Sequence, residues 1–494
     1  MFESAELGHK IDKSTYKQQV PALREALLDA QFELAQTARF PVIILIGGLD
    51  GAGKGETANL LNAWMDPRHI QTHAFSDPTD EESERPPMWR FWRALPPKGK
   101  IGIYFSSWYS DPIVKRVYGE TDNEVLGYAL EEIVRFEKML TDEGALVLKF
   151  WFHLSKEKQQ ERIRLLEENP KTRWRVTSME KRHLKLYDKF RGISERVLRE
   201  TSTADAPWIV VEGFDANYRN LTVGNQVREA LRKRLDQPQA RPLATAAPPL
   251  LTPVDQLQLL NAIDLSRKID KSEYEEKLEK FQGKLNLLTR EPKFKDTTII
   301  IVFEGSDAAG KGGSIRRITE AIDARHYSII PIAAPTEEER AQPYLWRFWR
   351  HIPRRGRFTI FDRSWYGRVL VERIEHICSE YDWMRAYAEI NDFEEQLARH
   401  NVLVMKFWLQ ISKDEQLRRF EERQQTSFKR FKITDDDWRN REKWDDYQVA
   451  VCDMIDRTST SHSPWTIIEA EDKNFARIKI LKSICDRLEA ALNQ

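Results

Sequence analysis

Thr297-Thr298-Ile299-Ile300-Ile301-Val302-Phe303-Glu304-Gly305-Ser306-Asp307-Ala308-Ala309-Gly310-Lys311-Gly312-Gly313-Ser314 is the stretch on which the reading of this 494-residue chain turns. Its first half is a β-branched apolar run, which predicts a strand buried on both faces. Its second half sets Gly305, four residues, then Gly310-Lys311, and Ile315, Ile318 and Ile322 follow at helical spacing. Strand, glycine turn and helix describe a phosphate-binding loop. Main-chain N–H groups cradle phosphate oxygens at a helix N-terminus and the lysine reaches further along. Gly305, Gly310, Gly312, Gly313 and Ser314 are therefore candidate phosphate contacts. Gly312 departs from the usual motif, which has Ser or Thr there, and the first hydroxyl comes only at Ser314. A plain strand-to-helix turn would use the same glycines, so the surroundings have to decide.

Those surroundings occur twice. Gly48-Leu49-Asp50-Gly51-Ala52-Gly53-Lys54-Gly55 repeats the loop at an offset of 257 (311 − 54). The same offset carries Trp89-Arg90-Phe91-Trp92-Arg93 onto Trp346-Arg347-Phe348-Trp349-Arg350, Ser107-Trp108-Tyr109 onto Ser364-Trp365-Tyr366, and Lys149-Phe150-Trp151 onto Lys406-Phe407-Trp408. Ile11-Asp12-Lys13-Ser14 recurs one residue out of step as Ile269-Asp270-Lys271-Ser272. So long a period means a duplicated domain, not a solenoid. The expected division is a first copy over 1–237, a Pro/Ala linker over 238–254 and a second copy over 255–494. In the second copy, strands are expected at Thr297–Phe303, Phe358–Phe361, Val402–Leu409 and Trp465–Ile468, with helices between them. That alternation argues an α/β fold with a parallel sheet covered on both faces, binding ligands at the carboxyl ends of its strands. Amphipathic segments from Tyr16 to Ala38 and from Tyr274 to Thr289 are expected to pack as outer helices.

Composition narrows the class. Lys+Arg and Asp+Glu balance at 78 each, so no global charge advertises a polyanion, and local charge must do so. Cys378, Cys452 and Cys485 form no CxxC pair and no zinc spacing. The N-terminus lacks a basic region followed by an apolar one, and no apolar run approaches membrane-spanning length. A cytoplasmic, reduced protein follows, with no membrane partner.

The chemistry should sit where the second expected strand closes on Phe361-Asp362-Arg363-Ser364-Trp365. An acid at that place can hold a metal ion for phosphoryl transfer, and the adjacent arginine can neutralise charge on the transferring group. A helix cap with a surface ion pair is the plainer alternative, and the preceding phosphate loop argues against it. Asp307 inside the loop would repel phosphate unless a metal lies between, or unless it takes a proton from the acceptor. Arginines then accumulate at Arg350, Arg354, Arg363 and Arg368. A second set, Arg418, Arg419 and Arg423, lies on a helix expected to start at Ser412 with a capping box closing at Glu415. Lys429, Arg430 and Lys432 continue it. Arginine suits bidentate phosphate contact, and this many cations suit a polyanion better than a nucleoside monophosphate. The aromatics among them are spaced like core packing, with no nucleic-acid-binding signature. None of the ten histidines is expected beside the loop, which disfavours a phosphohistidine.

Taken together, Gly305 to Gly313, Leu345 to Arg350, Phe361 to Arg368, Trp444-Asp445-Asp446-Tyr447 and Asp472-Lys473 resemble the type-2 polyphosphate kinases over nearly the whole chain. Gly312 is ordinary within that family. The resemblance implies a tandem pair of thymidylate-kinase-like phosphate-loop domains of three αβα layers, each with a helical lid. It also implies Mg²⁺ and phosphoryl transfer from inorganic polyphosphate to a nucleotide, with fused two-copy members associated with AMP. By position, Asp307, Lys311, Asp362 and Arg363 take the catalytic roles, Asp307 and Asp362 the metal, and the basic helix from Arg418 to Lys432 the lid. Rival readings are transfer to ADP or GDP, an ATP-dependent nucleoside monophosphate kinase, and a non-catalytic polyphosphate sensor. A homo-oligomer is compatible with the sequence and not dictated by it.

The copies differ where chemistry is expected. The first keeps Gly48, Asp50, Gly53 and Lys54. However, Phe105 stands opposite Asp362, Ser106 opposite Arg363, Asp111 opposite Arg368 and Ala216 opposite Lys473. A phenyl ring cannot ligate magnesium. The second copy is therefore expected to be catalytic and the first a scaffold.

Overall fold

A computed structural model describes residues 1–237, 258–427, 433 and 435–493. The expected linker over 238–254 and the lid residues Lys429, Arg430 and Lys432 lie outside them. Two compact units form. The first holds Met1–Pro78, residues 90–237 and Pro335–Trp346; the second holds Thr79–Trp89, residues 258–334 and residues 347–493. Relative to contiguous halves, the units exchange one short segment each. Within the second unit, Arg85 Nε donates to Ile352 O at 2.9 Å. Within the first, Gln342 Nε2 donates to Leu95 O at 3.0 Å.

Each unit contains one five-stranded sheet, parallel throughout. In the first, β1 (Val42–Gly48), β2 (Ile70–Ala74), β3 (Ile101–Phe105), β4 (Leu146–His153) and β5 (Trp208–Glu212) lie in the order β2-β3-β1-β4-β5. In the second, β6 (Thr298–Gly305), β7 (Tyr327–Pro331), β8 (Arg357–Asp362), β9 (Val402–Gln410) and β10 (Trp465–Glu469) repeat that order as β10-β9-β6-β8-β7. Four strands of the second unit match the sequence reading within two residues. The fifth, β7, is an addition. As an edge strand it pairs only with β8 and leaves Ser328, Ile329 and Pro331 exposed, so it has no apolar signature to read.

The centre of each sheet explains its sequence. β6 is flanked by β8 and β9, with Ile301 opposite both Ile360 and Met405, and Thr298 to Glu304 are buried on both faces. Phe281, Leu285 and Leu288 of helix Lys271–Leu288, and Ile480, Leu481, Ile484 and Leu488 of helix Lys473–Leu492, cover one face. The recurring Ile-Asp-Lys-Ser is a helix start. Asp12 accepts the N–H groups of Ser14 and Thr15, and Asp270 accepts that of Glu273.

On the other face, the Ser-Trp-Tyr and Lys-Phe-Trp repeats meet around a buried ion pair. Lys406 Nζ lies 2.7 Å from Glu394 Oε2, both fully buried, and Glu394 Oε1 accepts Trp365 Nε1 (3.0 Å) and Tyr366 Oη (2.7 Å). Lys149, Glu137, Trp108 and Tyr109 repeat the arrangement in the first unit. Removing one partner leaves an uncompensated buried charge, so Lys406→Met should cost about 3–5 kcal/mol of stability, read by denaturant unfolding. A loss below about 1 kcal/mol would show that the pair does not hold the fold.

Candidate active site

The carboxyl end of β6 turns on Gly305 at φ 150°, where a Cβ would stand 2.6 Å from Leu409 O, so only glycine fits between strand and loop. Gly310 at φ 113° then caps helix Lys311–Thr319, whose free N–H groups face the loop. Gly312 and Gly313 open that helix. Ser314 is buried, and its Oγ donates to Gly310 O at 3.4 Å.

Four residues singled out by the sequence converge here. Asp307 Oδ1 accepts Arg363 Nη2 at 2.8 Å and Oδ2 accepts Asn440 Nδ2 at 2.9 Å. Lys311 Nζ donates to Gly305 O at 2.7 Å. Burial pulls its pKa down and the Arg363 charge adds to that, against Asp307, Asp362 and Glu304. Asp362 ends β8 level with Phe303, and its carboxylate carries no hydrogen bond among the described residues. Arg363 sits in the left-handed region at φ 64°, and its N–H is tied to Phe303 O at 3.0 Å. A non-glycine residue there is strained and persists only where its surroundings impose it.

Asp307 and Asp362 suit a hard divalent ion. Among the described residues there is no cluster of three or more acidic, His or Cys ligands. Magnesium, however, typically keeps waters and binds through one or two carboxylates plus substrate phosphates. The unengaged carboxylate of Asp362 beside Lys311 and Arg363 fits that donor set.

The other arginines are placed differently. Arg419 is 2 % exposed, with its guanidinium on Ala308 O, Ala309 O, Ala470 O and Glu471 O and its Nε on Glu415. It pins the loop to the end of β10 and does not face solvent. Glu415 consequently pairs with Arg418 and Arg419, and the expected capping box reduces to Ser412 accepting the Glu415 N–H. Arg354 is exposed and pairs with Glu84 (2.8 Å), Arg368 pairs with Glu372 (2.9 Å), and Arg418 is exposed. Arg350 is exposed and Arg423 half-buried near the end of helix Lys413–Gln425.

Two site residues escaped the sequence reading. Glu304 is buried beneath the loop, and its Oε1 accepts Ser364 Oγ at 2.8 Å. Asn440, on helix Asp435–Glu442, reaches Asp307. The offset of 257 signals both, because Gly47 and His183 stand opposite them.

The first copy's loop has been rebuilt. His183 Nδ1 lies 2.5 Å from Asp50 Oδ2, and Lys54 Nζ 3.3 Å from Asp50 Oδ1. The expectation that no histidine lies beside a loop is thereby corrected: His183 comes from a helix far along the chain. Burial would raise the Asp50 carboxyl, but Lys54 and His183 outweigh it and hold it well below the usual range. Glu56 replaces Gly313, and Arg219 (2.8 Å), Arg162 (3.4 Å) and Arg175 (3.4 Å) close on its carboxylate. An internal anion thus stands in the first turn of the helix that would receive phosphate.

Residues 10–239 and 268–494 each match the family described as Polyphosphate kinase 2. The chain is 57% identical over 99% of both sequences to a polyphosphate:AMP phosphotransferase of Pseudomonas aeruginosa. It is 37% identical to one of Acinetobacter johnsonii, over 94% of this chain and 95% of that one. A crystal structure of a polyphosphate kinase 2 from Pseudomonas aeruginosa PA01 superposes with a TM-score of 0.91 at 56% identity, covering all of both chains.

Proposed function

This chain belongs to the polyphosphate kinase 2 family, and from that premise we propose that it transfers a phosphoryl group from inorganic polyphosphate to AMP, forming ADP, at the loop of the second copy. The observation that carries the location is the convergence of Asp307, Lys311, Asp362 and Arg363 in that copy, where the first has Phe105 and Ser106. An oxygen of the AMP phosphate attacks the terminal phosphorus of the donor. One P–O bond forms, and the bond to the shortened chain breaks. The loop N–H groups and Lys311 hold the transferring phosphoryl group, and Arg363 offsets its charge. Arg363 and Asn440 fix the Asp307 carboxylate in orientation. Mg²⁺, when bound at Asp307 and Asp362, would act as a Lewis acid on the phosphate oxygens.

The first copy keeps Asp50 and Lys54 but has Phe105 and Ser106 in place of Asp362 and Arg363, and it serves as scaffold. No described helix is long and apolar enough to cross a membrane. The proposal keeps the cytoplasmic setting expected from the sequence.

The test is ADP formation from AMP and Mg²⁺, once with polyphosphate and once with ATP. Turnover with polyphosphate alone supports the reading; turnover with ATP alone replaces it with a nucleoside monophosphate kinase. Faster consumption of ADP or GDP than of AMP would move the acceptor to a diphosphate, as the names of relatives that match a little under half of this chain, such as a GDP-polyphosphate phosphotransferase, state for those proteins.

Arg354 and Arg418 hold their acidic partners only in exposed, screened pairs, which a phosphate chain can displace. Raising salt should therefore increase the KM for polyphosphate much more steeply than that for AMP. Equal slopes would assign these arginines to ordinary surface.

A further inference from the structure

Glu304 has no task in the mechanism so far, and its position is costly. It is the penultimate residue of β6 and is 5 % exposed, and burial pushes its carboxyl up. A buried acid of this kind destabilises a fold unless something requires it. The duplicate shows what does not require it. With Gly47 in place of Glu304, the first copy still makes the same turn. Ser106 has φ 62° where Arg363 has 64°, and Ser107 Oγ accepts the Tyr109 N–H at 3.4 Å as Ser364 Oγ accepts that of Tyr366 at 3.3 Å. The buried Glu-Lys-Tyr-Trp network is also intact in both copies. What is missing alongside the acid is charge, since Asp362 and Arg363 are replaced by Phe105 and Ser106.

The cations behave accordingly. In the first copy, Lys54 donates to Gly48 O at 2.6 Å and also leans on Asp50 at 3.3 Å. In the second, Arg363 takes Asp307, and the Lys311 ammonium lies on Gly305 O, the residue following Glu304. Lys311, half-buried, therefore stands beside the exposed Arg363, whose charge disfavours its own.

Resting on the reading of the second copy as the seat of transfer, we propose that Glu304 is a positioning residue, a buried negative charge that holds the Lys311 ammonium beside Arg363 before phosphate arrives. Its contact with Ser364 orients the carboxylate, while the charge performs the task.

Glu304→Gln separates the two, because it keeps the shape and an oxygen for Ser364 and removes the charge. Its kcat should fall at least roughly tenfold, short of the 10²–10³-fold typical for a group that touches the reacting atoms. The KM for AMP should stay within about threefold. Its Tm at pH 7.5 should stay close to that of the wild type, because the cost of burying the carboxylate and its attraction to the partly exposed Lys311 and Arg363 are lost together. A structural role would instead lower Tm together with kcat. An unchanged kcat, or a lowered Tm, overturns the proposal. Wild-type protein that makes no ADP from polyphosphate and AMP would overturn the functional reading instead, and the two failures are distinguishable.

Discussion

Lys311→Ala is expected to lower polyphosphate-dependent ADP formation by about 10²–10³-fold, with little change in melting temperature. The Lys311 ammonium is held at the loop by Gly305 O, and removing one such preorganised charge typically costs ~2.7–4 kcal/mol of transition-state stabilisation. Its removal should not unfold the domain. Burial already disfavours the charged lysine, and the loop is pinned independently by Arg419 and by Gln416, whose Nε2 donates to Asp307 O at 3.2 Å. The measurement is kcat beside a thermal melt. A well-folded variant with near-normal kcat would remove Lys311 from the mechanism.

Asp362→Asn should be of similar size, with a fall of about 10²-fold or more at low millimolar Mg²⁺, because the change keeps the shape and removes the ligand charge. It carries a signature that Lys311→Ala lacks. Part of the loss should return as Mg²⁺ is raised, and the metal concentration for half-maximal rate should move upward. The Asp362 carboxylate has no hydrogen bond among the described residues, so its replacement should disturb little else. An unchanged metal dependence would reject Asp362 as a ligand even if the rate fell.

What the sequence made legible follows from how local each signal is. A continuous apolar run flanked by glycines marks β6 and its loop with no tertiary information, and the offset of 257 turns one such reading into two. Asp362 was visible because β8 is buried and an acid ends it. Residues that depend on long-range contacts were not visible. Arg419 looks like any basic helix residue until four carbonyls surround it. Asn440 lies 133 residues from Asp307 in sequence. Glu304 follows a run of β-branched and aromatic residues, where a side chain's depth cannot be read from its neighbours. The exchange of Thr79–Trp89 and Pro335–Trp346 is likewise a matter of packing, since both segments read locally as short capped turns.

The central claim is that chemistry belongs to the second copy alone. It is tested most directly by the kcat for ADP formation from polyphosphate and AMP in two matched variants, Lys54→Ala and Lys311→Ala, each confirmed folded by its thermal melt. In the first copy, Lys54 is held by Gly48 O and Asp50 beside an arginine-clamped Glu56, so Lys54→Ala should leave kcat largely unchanged and raise the donor KM at most modestly. Lys311→Ala should all but abolish turnover. A folded Lys54→Ala protein that had lost most of its turnover would contradict the assignment of catalysis to the second copy.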